Sequence, residues 1–238
     1  MSMRAIIMTG GRGVRLRPYT DVLPKGLLPV GGKPILETII TQLRRSGFQQ
    51  ITLVCGYLGW LIETYFGDGG RLGVHLDYYT ESEPKGTIGA LRDLGEWSEP
   101  RLVMNCDVLT TLDYQGLFRY HKANSPLITV ASQMKSIPIS LGVVETDEER
   151  VTGLFEKPET KVQVSMGIYV VEPKALDYIP QNACFDAPQL IQSALKNGQK
   201  VLQFRNDAYW LDIGTPEDYQ SAQGKFQELH DAILAGGD

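Results

Sequence analysis

The apolar run Ala5-Ile6-Ile7-Met8 passes at once into Thr9-Gly10-Gly11-Arg12-Gly13-Val14-Arg15. A short buried strand that empties into a loop without side-chain bulk is the opening of an open α/β sheet, with a ligand at the carboxyl end of its first strand. Successive bare N–H groups can curl around an anion, and the cations Arg15 and Lys25 can neutralise it. The ligand expected there is a polyphosphate. Two commoner phosphate loops are excluded. The dinucleotide fingerprint needs glycine where Leu16 stands, and the P-loop pattern fails at Gly32-Lys33-Pro34, where proline replaces the metal-binding hydroxyl.

The rest of the first half alternates between strand-like and helix-like patterns. Ala5–Met8, Ile51–Val54, Val74–Tyr79, Leu102–Asn105 and Leu127–Ser132 read as strands. Pro34–Arg45, Leu58–Phe66, Ile88–Leu94 and Gln115–Lys122 read as helices. This alternation predicts a mostly parallel central sheet with helices on both faces, a Rossmann-like three-layer sandwich. The pattern then changes. Leu141–Glu145, Val151–Glu156 and Ser165–Val171 follow one another with only turns between, which predicts an antiparallel insertion with one wet face. Helices are expected around Ala187–Lys196 and Pro216–Glu228, with a short strand at Val201–Phe204. The reading is a single domain over residues 1–238, with an alternating α/β half to about 110 and a second half of changed pattern beyond it.

The net charge of −5 opposes broad nucleic-acid binding, which needs a basic face. The three cysteines, Cys55, Cys106 and Cys184, are too few and too scattered for a disulfide framework or a zinc site, and fit a reducing cytoplasm. Met1-Ser2-Met3-Arg4 leads straight into a strand, so no signal peptide is expected. No apolar run approaches the roughly 20 residues of a membrane span.

Gly10-Gly11-Arg12-Gly13-Val14-Arg15-Leu16-Arg17-Pro18 through Pro24-Lys25 resembles the signature of the sugar-1-phosphate nucleotidyltransferases, or nucleotide-sugar pyrophosphorylases. The similarity continues in Asn105-Cys106-Asp107, Glu156-Lys157-Pro158, Gly167-Ile168-Tyr169-Val170 and Trp210-Leu211-Asp212-Ile213-Gly214, and so covers nearly the whole chain. The resemblance implies transfer of a nucleoside monophosphate from a triphosphate to a sugar 1-phosphate, releasing pyrophosphate. Those two molecules are the implied partners and Mg2+ the implied cofactor. A homodimer is the candidate assembly, without nucleic acid or membrane.

Such a reaction joins two anions. The attacking phosphate oxygen is already ionised near pH 7, so no general base is needed, and catalysis reduces to positioning plus electrostatics. Arg15 and Lys25 are expected to grip the β- and γ-phosphates, with Gly10, Gly11, Arg12 and Gly13 around them. Asp107 ends an apolar strand, where a carboxylate points into the ligand crevice. By resemblance it is one metal ligand and Asp212 the other. Asp212 is left free for this because Thr215 is the better cap for the helix that follows. Lys157 resembles the family's lysine for the sugar phosphate. Glu156, Gly142, Ser165 and Gly167 are the accompanying sugar-binding positions. The segment Glu83–Leu91 resembles the base-and-ribose loop through Gly86, Thr87 and Gly89, with Tyr57 as a flanking ring. The histidines are scattered and suggest no catalysis.

The chain departs from the family pattern at Val14 (commonly threonine), at Gly26 (commonly proline or alanine) and at Ser165-Met166, where an asparagine often meets a sugar hydroxyl. No hexapeptide β-helix is expected after the domain. The compact chain looks most like the short guanylyltransferases that use GTP with mannose, heptose or amino-sugar phosphates. Uridylyl-, thymidylyl- and cytidylyltransferases stay open. So does a non-catalytic nucleotide-sugar-binding paralogue, although all five of Arg15, Lys25, Asp107, Lys157 and Asp212 are present. A metal-dependent glycosyltransferase would lack the Gly-Gly-x-Gly-x-Arg loop, because its donor has no γ-phosphate to grip.

Overall fold

The structure is a computed structural model and describes residues 3–235. In chain order the elements are β1 (Met3–Met8), β2 (Pro29–Val30), β3 (Lys33–Pro34), α1 (Ile35–Arg45), β4 (Phe48–Cys55), α2 (Gly59–Phe66) and β5 (His75–Thr80). Then come β6 (Arg101–Asn105), β7 (Val108–Thr110), α3 (Tyr114–Asn124), β8 (Ile128–Pro138), β9 (Val143–Asp147), β10 (Arg150–Phe155) and β11 (Glu159–Val171). The chain closes with α4 (Ala187–Lys196), β12 (Val201–Arg205), β13 (Trp210–Asp212) and α5 (Pro216–Ala235).

Seven strands form one sheet in the order β12-β8-β11-β6-β1-β4-β5. All pairings in it are parallel except those of β11, which runs antiparallel to both β6 and β8. The alternating pleat divides the apolar residues between two cores. Ala5, Ile7, Leu53, Leu102 and Met104 face a layer containing α1, α3 and α5. Ile6, Val54 and Val103 face the opposite layer, with α4 and the turns around Leu91 and Ala175. Helix α1 shows how the sequence sets this up. Leu36, Ile39, Ile40 and Leu43 recur on one stripe and are wholly buried, and the helix stops at Ser46-Gly47.

The structure refines three expectations. The segment read as a helix over Ile88–Leu94 is a short 3-10 turn, Gly89–Asp93. Glycine opens it at Gly89 and follows two residues past its end at Gly95, and only three of its residues are buried, too few to hold a longer helix. The antiparallel insertion is narrower than expected. Only β9 and β10 form a separate hairpin, while residues 165–171 belong to β11 in the main sheet. β8 and β11 are both longer than their apolar runs, because each continues outward as a ribbon paired from Glu159–Pro138 to Ser165–Ser132. That ribbon carries the hairpin away from the body. Its apolar residues Leu141, Val144 and Leu154 are exposed.

Candidate active site

The carboxyl ends of β1 and β6 open on a cleft of about 370 Å³. Gly10, Gly11, Gly13 and Arg15 line one side, Pro84, Lys85, Gly86 and Thr87 another, and Lys25, Asn105 and Asp107 the floor. The glycine loop is anchored at its root. Thr9 donates through both its backbone N–H and its hydroxyl to the Val54 carbonyl, at 2.8 and 2.7 Å, so the loop leaves β1 tied to β4. Further on, Thr20 donates to the Gly13 carbonyl at 2.8 Å.

Lys25 stands in a 3-10 turn that follows Pro24, and its ammonium is ion-paired with the Asp107 carboxylate. Both side chains are largely buried, at 11% and 16% exposure, so little solvent screens the pair. Asp212 is brought beside them by the short antiparallel pair β7–β13. There Asp212 registers with Val108, and the Ile213 N–H donates to the Asp107 carbonyl at 2.9 Å. Burial raises the Asp212 pKa above the ordinary carboxylate range. The negative charge of Asp107 adds to this, while Lys25 and Arg15 oppose it. The Arg15 guanidinium lies against the Gly214 backbone, within 3.1–3.3 Å of where a Cβ would stand. Two aspartates, a lysine and an arginine thus converge from four separate segments.

One oxygen of the Asp107 carboxylate, Oδ1, is buried with no hydrogen-bond partner. An uncompensated carboxylate oxygen is costly unless a cation meets it. Among the described residues no group of three or more His, Cys, Asp or Glu gathers as a metal cage. Magnesium does not need one, since it is usually held by one or two carboxylates with phosphates and waters completing the octahedron. The donors therefore fit that ion. Cys106, beside Asp107, is buried and its thiol is pushed up to about 12, which leaves it protonated.

A second cleft of about 300 Å³ adjoins the first, sharing Thr87 and Asn105 with it. Ser165, Gly167, Trp210 and Asp212 also line it. It exists because β11 bulges between Ser165 and Tyr169. Gly167 makes the bulge possible. Its φ is +71°, and a Cβ there would sit 2.8 Å from the Asn105 amide nitrogen. The base loop needs glycine in the same way at Gly86. Its φ is +76°, and a Cβ would meet the Phe185 carbonyl at 2.7 Å. Thr87 fastens that loop to the start of α4. Its N–H donates to Asp186 at 2.8 Å and its hydroxyl accepts from the Ala187 N–H at 3.0 Å.

The expected site residues are thus distributed as follows. Gly10, Gly11, Gly13, Arg15, Lys25, Gly86, Thr87 and Asp107 line the first cleft, and Ser165, Gly167 and Asp212 the second. Arg12 and Tyr57 stand outside the walls and pair with each other, the guanidinium 5.6 Å from the ring centroid. Gly89 is buried, turned towards the Ala183 carbonyl. Gly142, Glu156 and Lys157 lie at the hairpin's base and line neither cleft. Lys157 is exposed, with φ +47°. Sequence reasoning passed over Glu81, Asn105, Asp186 and Trp210 as site residues. Asn105, two residues before Asp107 at the end of an apolar run, carried a legible signal. Trp210 opens a motif on which the family resemblance rests, while Glu81 and Asp186 carried no signal, because only the fold brings them in.

A family model described as nucleotidyl transferase matches residues 4–228. The chain belongs to that family. Among its relatives, this nucleotidyl transferase is 34% identical over 222 residues to a mannose-1-phosphate guanylyltransferase of Mycobacterium tuberculosis, a match covering 90% of this chain and 62% of that protein. It is 33% identical to the D-glycero-alpha-D-manno-heptose 1-phosphate guanylyltransferase of Aneurinibacillus thermoaerophilus, covering 94% of this chain and 99% of that one. Several relatives are longer, and the nucleotidyl transferase described here spans about 62% of their length. The crystal structure of HddC from Yersinia pseudotuberculosis superimposes with a TM-score of 0.74 at 25% identity, covering 94% and 99% of the two chains. A structure from Bacillus anthracis at 24% identity shares the fold with a TM-score of 0.77.

Proposed function

We propose that this nucleotidyl transferase joins a nucleoside triphosphate, GTP in the first place, to a mannose-, heptose- or amino-sugar-type 1-phosphate, releasing pyrophosphate. The observation that carries this reading is the convergence of Arg15 and Lys25 with Asp107 and Asp212 where the glycine loop meets the second cleft. The guanine preference and the sugar class rest on the names of its relatives, of which one, from Synechocystis, is a UTP–glucose-1-phosphate uridylyltransferase at 31% identity. The division of labour is part of the same proposal: residues to about 110 hold the nucleotide and those beyond it the sugar.

In the reaction an oxygen of the sugar phosphate forms a bond to the α-phosphorus, and the bond from that phosphorus to the bridging oxygen of pyrophosphate breaks. Charge then grows on the leaving group. Arg15, which is exposed, and Lys25, whose side chain is largely buried, would offset it, and a cation is worth most where water is excluded. The glycine loop would hold the β- and γ-phosphates by backbone N–H groups. Ser165 would orient a sugar hydroxyl in the second cleft, and Asn105 stands where the two clefts meet. Mg2+, held by Asp107 and Asp212, would supply charge neutralisation at the α-phosphate. Lys157 would meet the sugar phosphate when the exposed segment at the hairpin base approaches the cleft.

Among the described residues no helix is long and apolar enough to cross a membrane. The cysteines Cys55, Cys106 and Cys184 are unpaired, which supports placing the enzyme in the cytoplasm. The test is pyrophosphate release across a panel of triphosphates and sugar 1-phosphates. Release with GTP and one of the three sugar classes is expected. No release with any pair, in the presence of Mg2+, would overturn the reading.

A further inference from the structure

The sheet face that carries Ile6, Val54 and Val103 turns polar towards the amino ends of its strands. There Arg4, Gln50, Thr52, Asp77 and Arg101 replace the apolar side chains, and a third cleft of about 340 Å³ opens over them. Its volume matches that of the substrate cleft and falls within the range of small-molecule sites. It lies away from the triphosphate loop, since the loop leaves the carboxyl end of β1 while Arg4 stands near the amino end.

Two guanidinium groups form its base. Arg4 and Arg101 each precede by one residue the paired positions Ala5 and Leu102 on neighbouring strands, so they stand side by side. Among the described residues neither has a carboxylate within ion-pairing distance. Of the two carboxylates in the cleft, Asp93 is ion-paired and Asp77 is an exposed charge that meets only a histidine. Asp93 takes Lys85 at 2.6 Å and the Tyr79 hydroxyl at 2.9 Å, while Asp77 faces His75 at 3.2 Å. Arg101 is only partly exposed and lies 4.6 Å from the Trp97 ring centroid, which fixes the plane of its fork. Burial, and then the neighbouring Arg4 charge, press Arg101 below its ordinary pKa, with Asp77 opposing part of the shift. Adjacent guanidinium groups with no ion pair of their own, set in a concave cleft, can take up a phosphoryl group by bidentate hydrogen bonds.

We propose that this third cleft is a binding site for a compact phosphate-bearing molecule, seated on Arg4 and Arg101, separate from the substrate cleft. Gln50 and Thr52 add neutral donors beside the anion. Asp77 and Asp93 confine the anionic part to the space between the arginines. The wall at Asp93 is shared with the substrate site through Lys85, which also lines the first cleft.

The chain's tryptophans separate the sites. Trp97 lies under Arg101, Trp210 lines the second cleft and Trp60 is exposed. Their indole N–H resonances, assigned by single Trp→Phe substitutions, report on each location independently of turnover. Inorganic phosphate and a nucleoside diphosphate sugar would be titrated in parallel at constant ionic strength set with chloride. A saturable shift of the Trp97 signal is expected with at least one of them, and which one moves it at lower concentration tells a free phosphate from a nucleotide-linked one. Arg4→Gln, an exposed change, should weaken that binding at least about tenfold, the scale of one lost charge-assisted contact. Arg101→Gln should do the same, and circular dichroism reports whether it folds. A Trp97 signal that stays still for both probes, or that moves equally in Arg4→Gln, would overturn the assignment.

Discussion

Lys25 and Asp107 hold one another, and this makes the four charges of the site unequal. Lys25→Ala should lower turnover by at least ~10²-fold, the usual loss for a group that offsets transition-state charge. Near-normal turnover would remove Lys25 from the leaving group. Arg15→Lys should also be poorly tolerated, because an ammonium cannot reproduce the planar fork. The two aspartates should behave alike in activity and oppositely in stability. Each Asp→Asn change should abolish metal-dependent turnover. Repulsion between neighbouring carboxylates alone would have both variants melt at or above the wild-type temperature without metal. The Lys25 ion pair restricts that to one of them. Asp212→Asn relieves a carboxylate that burial and Asp107 disfavour, and should raise the metal-free melting temperature. Asp107→Asn leaves Lys25 largely buried and without its ion pair, and should lower it. Each shift should be on the order of 1 kcal/mol, or about 2–4 °C for a chain of this size. Calorimetry with chelator present checks the signs.

At the scale of elements, α5 begins in a capping arrangement that also fixes the Asp212 loop. The Thr215 hydroxyl accepts from the Asp218 N–H at 3.2 Å, and Asp218 accepts from the N–H groups of Thr215 and Gly214 at 2.9 and 3.2 Å. Thr215→Ala should cost about 1 kcal/mol of stability, the ordinary value of an N-cap. It should also loosen the carboxylate pair enough to raise the metal concentration needed for half-maximal activity. An unchanged metal requirement would confine the cap to folding. The β9–β10 hairpin is the opposite case, since it lies outside the seven-stranded sheet and its apolar residues are largely exposed. Joining Pro138 to Glu159 by a short glycine-serine turn should leave the melting temperature within a few degrees. It should raise the Michaelis constant for the sugar phosphate far more than that for the triphosphate, and Lys157→Ala should show the same split. Equal rises in both constants would mean that the hairpin and its lysine serve the wrong substrate.

For the molecule as a whole, the sharpest pH dependence expected of folding comes from His121. It is fully buried between α3 and the sheet, bonded to Thr129 at 2.8 Å and to Glu172 at 3.2 Å. Burial lowers its pKa below the ordinary value near 6.5, with Glu172 opposing part of that shift. The unfolded chain therefore takes up the proton first. Stability should be intact above about pH 6.5, fall as the pH drops below it, and level off beneath the folded-state pKa. Denaturant melts of wild type and His121→Gln between pH 5 and 8 should show a shallower acid loss in the variant. Parallel curves would assign the acid loss to other groups.

The local pattern of apolar runs, glycines and prolines was enough to place β1, α1, β4, β6 and α4 within a residue or a few of their true bounds, because each is stabilised by its own periodicity against a core. It also marked the glycine loop, Lys25 and Asp107, since a strand end followed by glycines or a carboxylate is a short-range signal. The tertiary structure alone decided the rest. The pairing of Trp210–Asp212 with Val108–Thr110 joins segments about a hundred residues apart, so nothing near Asp212 could show that it reaches Asp107. β11 looked like part of a separate insertion because its hydrophobic run is the same whichever sheet receives it. Its antiparallel place between β6 and β8, and the bulge at Gly167 that opens the second cleft, follow from long-range register. The paired arginines at the amino ends of β1 and β6 are two isolated basic residues in the sequence, and they become neighbours only because those strands lie side by side.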